Sequence, residues 1–224
     1  MEIRPIAHVR SDFPSKFGIP RQSGIVPELV SYVVFEPEFA IFDSLRGLNG
    51  YNYIWLIWEF SGNRHEGWSP TVRPPRLGGN ERRGVFATRS PFRPNPLGLS
   101  SVKLDAILET SSGPMLRILG ADLMDGTPVY DIKPYVEPDL HPDARFGFSG
   151  GRWERRVEVD FPADLLALLP DNRRQAAIGI LEQDPRPAYQ HDPERVYGLT
   201  FAGFDIRFKV SDGVLRVIDV VRGA

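Results

Sequence analysis

The chain has 224 residues, of which 42% are hydrophobic and 25% charged, as expected for one large or two small globular domains with a sizeable core. It contains no cysteine, which excludes disulfides and thiolate metal sites and fits a reducing cytoplasm. The net charge of -2 argues against a protein that binds nucleic acid with its whole surface, and the longest apolar run, residues 53–60, is too short to span a bilayer.

Short runs rich in β-branched and aromatic residues recur through the first 140 residues, separated by Gly, Pro, Asn or Asp. They predict strands over residues 29–35, 53–60, 84–88, 101–108, 115–119 and 129–132, with a short helix over 37–46. Repeated short strands with turn signals are typical of a barrel or a sandwich. The nearly continuous apolar run over 53–60 predicts a central strand buried on both faces.

The pattern changes after about residue 140. Residues 141–151 are predicted to form a linker, followed by a strand over 153–161. Helical spacing predicts helices over 162–169 and 172–183, the second with Asp171 as N-cap. Residues 198–221 predict two or three strands, with turns at 202–203 and 211–213. The sequence therefore predicts a mainly β protein, with a β-rich domain over 1–140 and a smaller α+β domain over 141–224.

Familiar nucleotide and metal motifs are missing from the sequence. No GxGxxG opens a helix and no GxxxxGK[ST] is present, so neither a Rossmann fingerprint nor a P-loop is predicted. The four histidines, at positions 8, 65, 141 and 191, lack metal-ligand spacing. We therefore expect no metal site.

Positive charge concentrates between residues 64 and 103, where seven Arg and one Lys face only Glu66 and Glu81, a local balance of +6. Residues 122–143 hold six acids against Lys133. Prolines at 70, 74, 75, 91, 94 and 96 fix the backbone, so we expect rigid, irregular loops. They would present Arg73, Arg76, Arg82, Arg83, Arg89 and Arg93. Arginine forks bind phosphate or carboxylate bidentately, although internal salt bridges between these side chains and acids remain an alternative.

Three further stretches carry candidate polar groups. FGIPRQSGIV (17–26) holds Arg21 and Gln22, which form either a turn or an adenine-reading pair. DLMDGTPVYDIKPYV (122–136) has a strong turn followed by an acid, an amine and a phenol at alternate positions, which would share one face of a strand. EQDPRPAYQHD (182–192) holds Arg186 and Tyr189, able to contact a phosphate and a base, or to serve as an interdomain linker.

Four stretches together resemble one family. They are TVRPPRLGGNERRGVFATRSPFRPNPLGLS, FGIPRQSG before it, DGTPVYDIKPY after it, and QDPRPAY in the second part of the chain. These stretches are similar to the motifs of the TsaA-like, TrmO-type family of tRNA N6-methyltransferases. They occur in the same order as in that family, and the match covers nearly the whole chain. The long central motif is highly specific to that family.

The resemblance implies a β-barrel N-terminal domain that carries the cofactor site, and a small C-terminal domain. The implied cofactor is S-adenosylmethionine, bound without a Rossmann fold. The implied substrate is tRNA with N6-threonylcarbamoyladenosine at position 37, beside the anticodon, and the product is its N6-methyl derivative. Family members are homodimers with the site near the subunit interface, and a cytoplasmic location is expected.

The resemblance also implies which residues contact the cofactor. They are Pro20, Arg21, Gln22, Ser61, Gly62, Arg89, Leu99, Asp125, Gly126, Thr127 and Pro128. Either Arg21 or Arg89 would bind the methionine carboxylate. Many relatives have His where this chain has Ser61 and Gly62, which puts a side-chain role there in doubt while leaving backbone contacts possible.

For catalysis, the resemblance and the acceptor chemistry point to Asn95 and Asp131, with Lys133 and Tyr135 as orienting groups. The carbamoyl group makes the acceptor N–H more acidic, so a weak base or a hydrogen-bond acceptor suffices. Asn95-Pro96 is distantly similar to the Asn-Pro-Pro-aromatic motif of other adenine N6-methylases, but Leu97 and Gly98 follow here. The anticodon phosphates and the threonyl carboxylate would bind Arg73, Arg76, Arg82, Arg83, Arg93 and Arg186.

Three alternatives remain open from the sequence. The protein is a methyltransferase of the same fold with another substrate, a non-catalytic S-adenosylmethionine-binding regulator, or a plain RNA-binding module. The last would bind RNA with an affinity that ignores the cofactor and falls steeply with salt.

Overall fold

The structure is a computed structural model that describes residues 2–63, 67–74, 81–150, 156–187, 190 and 192–223. Within these residues it is mainly β, as predicted, with strands that divide into two principal sheets. The first part of the chain contributes β1 (Ala7–Arg10), β2 (Val30–Phe35), β3 (Tyr53–Glu59), β4 (Thr71–Val72), β5 (Arg83–Gly84), β6 (Leu97–Thr110), β7 (Gly113–Leu119) and β8 (Pro128–Pro134).

Six of these strands form a closed barrel in the order β1-β2-β7-β6-β3-β8. Every neighbouring pair is antiparallel, and β8 closes the ring by pairing with β1. The remaining two, β4 and β5, pair with each other in a small ribbon. Closure leaves the six strands without a free edge.

Side chains of β3 alternate between the interior and the outside of the barrel. Ile54, Leu56 and Trp58 are buried, whereas the intervening residues are partly or largely exposed. The prediction that this strand is buried on both faces is therefore wrong, because the residues on its outer face stay partly exposed and no second layer among the described residues covers them. A bulge opposite Ile57 and Trp58 skips Tyr130, which changes the face on which the later residues of β8 lie.

Several local predictions in the first part of the chain are also corrected. The predicted strand over 84–88 is a 3-10 turn, Val85–Ala87, because both the N–H and the hydroxyl of Thr88 donate to the carbonyl of Val85. The predicted helix over 37–46 is reduced to a 3-10 turn, Phe42–Leu45. The strand β1 was not predicted.

The last part of the chain forms a second sheet in the order β10-β11-β12-β9. Its strands are β9 (Glu158–Asp160), β10 (Tyr197–Phe201), β11 (Phe204–Ser211) and β12 (Val214–Arg222), and only the β9 and β12 pair is parallel. Two helices, α1 (Ala163–Leu166) and α2 (Asp171–Glu182), complete the described part. Pro170 precedes α2, so Asp171 is its first residue and not its N-cap, and it forms an ion pair with Arg174 at 2.7 Å.

The segment between β1 and β2 belongs to the core of the second sheet, although it lies early in the chain. Phe13, Val26 and Leu29 are buried with the side chains of β10, β11, β12 and α2. Asp12 forms an ion pair with Arg173 of α2 at 2.6 Å. The sequence-based division of the chain into two consecutive parts did not predict that a segment before β2 packs in the core of the second sheet.

The close approach of this segment to β10 requires a glycine. Gly18 has φ 84°, and a Cβ built on it would lie 2.1 Å from the Cδ1 of Leu199, which is itself fully buried. A side chain at position 18 would therefore combine backbone strain with a clash in the core.

Replacing Phe13 by Ala is expected to lower the free energy of unfolding by about 3–5 kcal/mol, as for other buried aromatic residues. The ring is 1% exposed and packs on Phe201 at 5.3 Å between centroids. Urea denaturation of both proteins measures the change. Phe146→Ala is the control, because Phe146 is 69% exposed and its loss should cost less than about 0.5 kcal/mol. Equal effects of the two changes would contradict the assignment of Phe13 to the core.

Candidate functional site

One end of the barrel gathers most of the predicted cofactor residues. Here β3 ends, β6 and β8 begin, and the N–H of Phe60 donates to the carbonyl of Pro96 at 2.9 Å. The loop between β1 and β2 also emerges here, because Arg10 pairs with Tyr32 at this end of both strands. We call this region the Ser61 end of the barrel.

A buried chain of polar side chains lies at the Ser61 end. The indole Nε1 of Trp58 donates to the Oγ of Ser100 at 3.0 Å, and the Ser100 hydroxyl donates to the Oδ1 of Asp122 at 2.7 Å. Gly98 makes room for the indole, since a Cβ there would lie 2.3–2.7 Å from three ring atoms of Trp58. The three polar groups therefore have fixed positions inside the barrel.

Asp122 connects this chain to the loop between β1 and β2. The backbone N–H of Ser23 also donates to its carboxylate, and the guanidinium of Arg89 lies near enough to favour its charge. Burial nevertheless raises the pKa of Asp122 above its ordinary value, more than these interactions lower it. A buried carboxylate thus lies beneath two of the predicted cofactor segments.

The predicted cofactor residues Pro20, Arg21, Gln22 and Arg89 come together above Asp122. The Nη1 of Arg89 donates to the Oε1 of Gln22, and the Nε2 of Gln22 donates to the carbonyl of Arg21 at 2.6 Å. Pro20 is buried, while the side chains of Arg21 and Arg89 are exposed. The structure therefore joins two motifs that lie far apart in the sequence.

The turn at Asp125–Pro128 adjoins Ser61 and Gly62, since a Cβ on Gly62 would lie 3.2 Å from the Met124 methyl carbon. The N–H groups of Asp125, Gly126 and Thr127 donate within the chain, to the carbonyls of Phe13, Val9 and Met124. The Asp125 carboxylate accepts the N–H of Ser11, and the Thr127 hydroxyl donates to the Met124 carbonyl. These groups hold the turn, so a ligand contact there would use carbonyl oxygens or apolar surface.

Asn95 and Leu99 lie at the start of β6, also at the Ser61 end. Asn95 is exposed, and its carbonyl accepts the N–H of Leu97 at 2.7 Å. Leu99 is 51% exposed and lies opposite Ile57 on the outer face of the barrel, whereas the next residue, Ser100, faces inward. Leu99 therefore does not share the interior with Ser100 and Asp122.

Asp131, Lys133 and Tyr135 lie on the outer face of the barrel, because the bulge at Tyr130 places Ile132 inside. Asp131 forms an ion pair with Lys133 at 2.8 Å, and the Tyr135 ring packs on Trp55 at 5.5 Å. The N–H of Tyr135 donates to Tyr53, at the opposite end of β3 from Asn95.

Tyr135 and Asn95 lie beyond opposite ends of β3, which spans six residue steps, about 20 Å at an ordinary strand rise. These two predicted catalytic residues therefore do not meet within one chain. The alternation of Asp131, Lys133 and Tyr135 on one face was correct, but the pattern could not show that this face is the outer one.

The predicted RNA-binding arginines differ in how their side chains are used. Arg73 and Arg82 are exposed, and Arg82 also donates to the hydroxyl of Thr71 at 3.1 Å. Arg93 is half-buried and reaches the Thr88 carbonyl at 3.5 Å. Arg83 forms an ion pair with Glu81 at 2.6 Å and lies over the ring of Phe148.

Arg186 is used within the chain. Both of its fork nitrogens bind the Asp184 carboxylate at 2.8 Å, its side chain is only 15% exposed, and the hydrogen bond to Asp184 raises its pKa. The Asp184 contact uses the Nε and Nη2 edge of the guanidinium, so Arg186 is less available to RNA than the exposed arginines, and its contact with RNA stays a prediction. Arg76 and Tyr189 lie outside the described residues.

Sequence reasoning missed the polar chain of Trp58, Ser100 and Asp122. Asp122 was noted only as one of six acids, although it stands between Ala121 and Leu123, which are both buried. An acid flanked by apolar residues was the available signal. Among the described residues, no group of three or more His, Asp or Glu could hold a metal ion, and no helix is long and apolar enough to cross a membrane.

Comparison with known families matches both parts of the chain. The model of the tRNA-methyltransferase O N-terminal domain matches residues 8–139, and that of the C-terminal domain of the same family matches residues 154–223. The chain belongs to the tRNA-methyltransferase O family.

Relatives of this tRNA-methyltransferase O family member match over most of their length. The tRNA (adenine(37)-N6)-methyltransferase of Escherichia coli is 37% identical over 96% of both chains, and that of Eikenella corrodens is 48% identical over 75% of this chain and 95% of its own. The crystal structure of TrmO from Pseudomonas aeruginosa covers 99% of this chain and 98% of its own, at 30% identity and a TM-score of 0.79.

The carboxyl group of Asp122 is expected to make the stability of this family member depend on pH. The raised folded-state pKa of Asp122 means that its contribution to stability is complete below its ordinary value of 3.8 and is lost as the pH rises through the folded-state pKa. Asp122→Asn keeps an acceptor for Ser100 but cannot ionise. We expect the free energy of unfolding of the native protein, relative to this variant, to fall as the pH rises from about 3.8 and then to level off.

Urea denaturation of both proteins at a series of pH values measures this difference. Asp43→Asn, at an exposed position remote from the Ser61 end, serves as the control substitution. A difference that stays constant with pH for Asp122→Asn would contradict the effect of burial on this carboxyl group.

Proposed function

We propose that this protein transfers a methyl group from S-adenosylmethionine to N6 of adenosine 37 in tRNA, and that the acceptor is N6-threonylcarbamoyladenosine. Family membership and the full-length relatives named tRNA (adenine(37)-N6)-methyltransferase support the reaction. The observation that carries the proposal is the assembly of residues 20–22 and Arg89 over buried Asp122, beside loops rich in arginine.

The donor set at the Ser61 end fits the proposed cofactor. S-adenosylmethionine presents a carboxylate, an ammonium group and an adenosine. Arg21 and Arg89 are exposed cations suited to the carboxylate, and the carboxyl group of Asp122 lies close to both segments that carry them. Gln22, half-buried and already bonded to Arg89, is placed to read polar edges. We propose that these residues, with Pro20, hold the cofactor.

The remaining predicted cofactor residues have more limited proposed roles. Ser61 and Gly62, with the turn Asp125, Gly126, Thr127 and Pro128, would form the wall of the site through carbonyl oxygens and apolar surface. Leu99 lies on the outer face, where it would border the site only at the rim of the barrel. The His found here in many relatives is absent, so no side-chain chemistry is assigned to positions 61 and 62.

When bound, S-adenosylmethionine supplies an electrophilic methyl group on a sulfonium. In the transfer a bond forms between N6 and the methyl carbon, the carbon–sulfur bond breaks with its electron pair staying on sulfur, and the proton of N6 passes to solvent water. We propose that the side-chain carbonyl of Asn95 accepts the N6–H and orients the nitrogen. Positioning of this kind supplies a large part of the acceleration in a displacement, and the carbamoyl group makes the N6–H acidic enough to be lost without a strong base.

We propose that the protein acts as a homodimer. The outer face of β3 and β6 leaves large apolar side chains exposed, with Tyr53 42% and Leu99 51% exposed. Asp131, Lys133 and Tyr135 lie on the same side of the barrel and would serve catalysis only across such an interface. Sedimentation over a range of protein concentrations distinguishes dimer from monomer.

We also propose that residues 1–140 and 141–224 form two domains, with matches of the family models to 8–139 and 154–223 in support. The segment 13–29 would belong to both, since it leaves the barrel and packs on the second sheet. A cytoplasmic location follows from the proposed tRNA substrate and stays part of the proposal.

We propose that Arg73, Arg82, Arg83 and Arg93 contribute to tRNA binding, and Arg82 gives the clearest test. Arg82→Gln is expected to weaken tRNA binding and to make the slope of log K against log salt shallower by roughly 0.7–0.9, the value for one lost phosphate contact. Arg186→Gln should leave the slope unchanged, because its fork binds Asp184. A shallower slope for Arg186→Gln alone would reverse these two assignments.

The reaction is tested by mass spectrometry of nucleosides from tRNA incubated with the protein and S-adenosylmethionine. We expect one added methyl group on threonylcarbamoyladenosine and none on tRNA that lacks this modification. Asn95→Ala should lower kcat by roughly 10²-fold, as for loss of a hydrogen-bond acceptor that positions the reacting nitrogen, with little change in cofactor affinity.

Other outcomes would separate the alternatives. Methylation of unmodified tRNA would indicate another acceptor. Tight cofactor binding measured by calorimetry, with no methyl transfer to either tRNA, would favour a regulator. RNA binding that ignores the cofactor would favour an RNA-binding module.

A further inference from the structure

Two aromatic rings lie exposed side by side on the loops that carry the arginines. Trp68 and Phe86 are 51% and 75% exposed, and their rings are 6.4 Å apart with an angle of 22° between planes. Single exposed aromatic residues are common, but two neighbouring exposed rings with nearly parallel planes offer an aromatic face on which a further ring can stack. None of the roles assigned so far uses this pair.

The backbone around both rings is held in place. Ser69, which follows Trp68, donates two hydrogen bonds: its N–H donates to the Phe92 carbonyl at 3.2 Å, and its hydroxyl donates to the Thr71 carbonyl at 2.6 Å. Val85, which precedes Phe86, is buried and its N–H donates to the Pro70 carbonyl at 3.0 Å. The rings are therefore presented by an ordered frame, which reduces the entropy lost on binding.

The same frame carries positive charge. Arg82 is bonded to Thr71 within the β4–β5 ribbon that links the two aromatic positions, and Arg73 directly follows that ribbon's first strand. Arg93 reaches back to Thr88, two residues after Phe86. Flat aromatic surface together with arginine is the combination with which proteins bind unpaired nucleotides, through base stacking and phosphate contacts. The core of a protein–protein interface is instead depleted of charge.

We propose that Trp68 and Phe86 form a stacking platform for an unpaired base of the tRNA anticodon loop. The proposal rests on the proposed tRNA substrate and adds a binding site to it. The platform binds the face of a base and therefore tolerates different bases, while the arginines bind the adjoining phosphates. It would hold the loop open beside the Ser61 end, since Arg89 lies between this frame and Gln22.

The test is the affinity of the full chain for an anticodon stem-loop RNA, measured by fluorescence anisotropy at several salt concentrations. Phe86→Leu keeps apolar volume but removes the aromatic face, and Trp68→Leu does the same on the other side. Each is expected to raise Kd by roughly ten-fold, within the range for loss of one stacked base, with an unchanged slope of log K against log salt. Phe42→Leu, at a 47% exposed aromatic position on the far part of the barrel, is the matched control and should bind as the native protein does.

The outcomes separate the platform from the proposed function. If the native protein methylates tRNA and both variants bind the stem-loop with native affinity, the platform is wrong and the proposed function stands. A changed salt slope would assign the loss to phosphate contacts and overturn the stacking role. If either variant converts a dimer to a monomer in sedimentation, the pair contacts a second copy of the chain and the proposal also fails. If the native protein neither binds nor methylates tRNA, both proposals fall together.

Discussion

The arrangement of the Ser61 end depends on the largely buried carboxyl group of Asp122, in the connection between β7 and β8. Asp122 is bonded to Ser100, which in turn is bonded to Trp58, and it also receives the N–H of Ser23. Burying a carboxylate is costly unless hydrogen bonds or opposite charge compensate. Hydrogen bonds to the Asp122 carboxyl group come from Ser100 of β6 and from Ser23 in the loop after β1, and Trp58 of β3 donates to Ser100. All three parts of the chain must therefore be in place for this carboxyl group to be fully hydrogen-bonded. Gly98 is the condition for this placement, because any side chain there would displace the indole.

The loop that carries Arg21 and Gln22 is held from two sides. Asp122 binds its middle at Ser23, while Phe13, Val26 and Leu29 anchor its two flanks in the core of the second sheet. The ion pair of Asp12 with Arg173 adds a contact to α2. The second sheet is therefore part of the support for a loop that carries proposed cofactor residues and lies early in the sequence.

Much of the fold was predictable from the sequence because local patterns agree with it. Five of the six predicted strands before residue 140 were placed within a few residues, and the turns at residues 202–203 and 211–213 were correct. What failed depended on tertiary context. The bulge at Tyr130 arises from pairing with β3, and the inside or outside of a barrel is not encoded in alternation alone.

The candidate site was partly predictable for the same reason. The family resemblance grouped residues 20–22 with Arg89, and they are in contact. It did not show that Arg186 is occupied by Asp184, that the N–H groups of the turn at 125–127 are already used, or that Asp122 lies beneath the site. In each case the question is which hydrogen-bonding groups are still free to bind a ligand. The answer depends on neighbours that are distant in sequence.

The anchoring of residues 13–29 in the second sheet has a thermodynamic consequence. A ligand that binds only when the loop at 20–22 is ordered must also stabilise the packing of Phe13 and Val26 against β10, β11 and α2, since the two are one continuous segment. Conversely, loosening of the second sheet would reduce the population in which the loop is ready to bind. If residues 20–22 bind the proposed cofactor, the C-terminal part of the chain would thus affect cofactor affinity through linkage, without touching the cofactor itself.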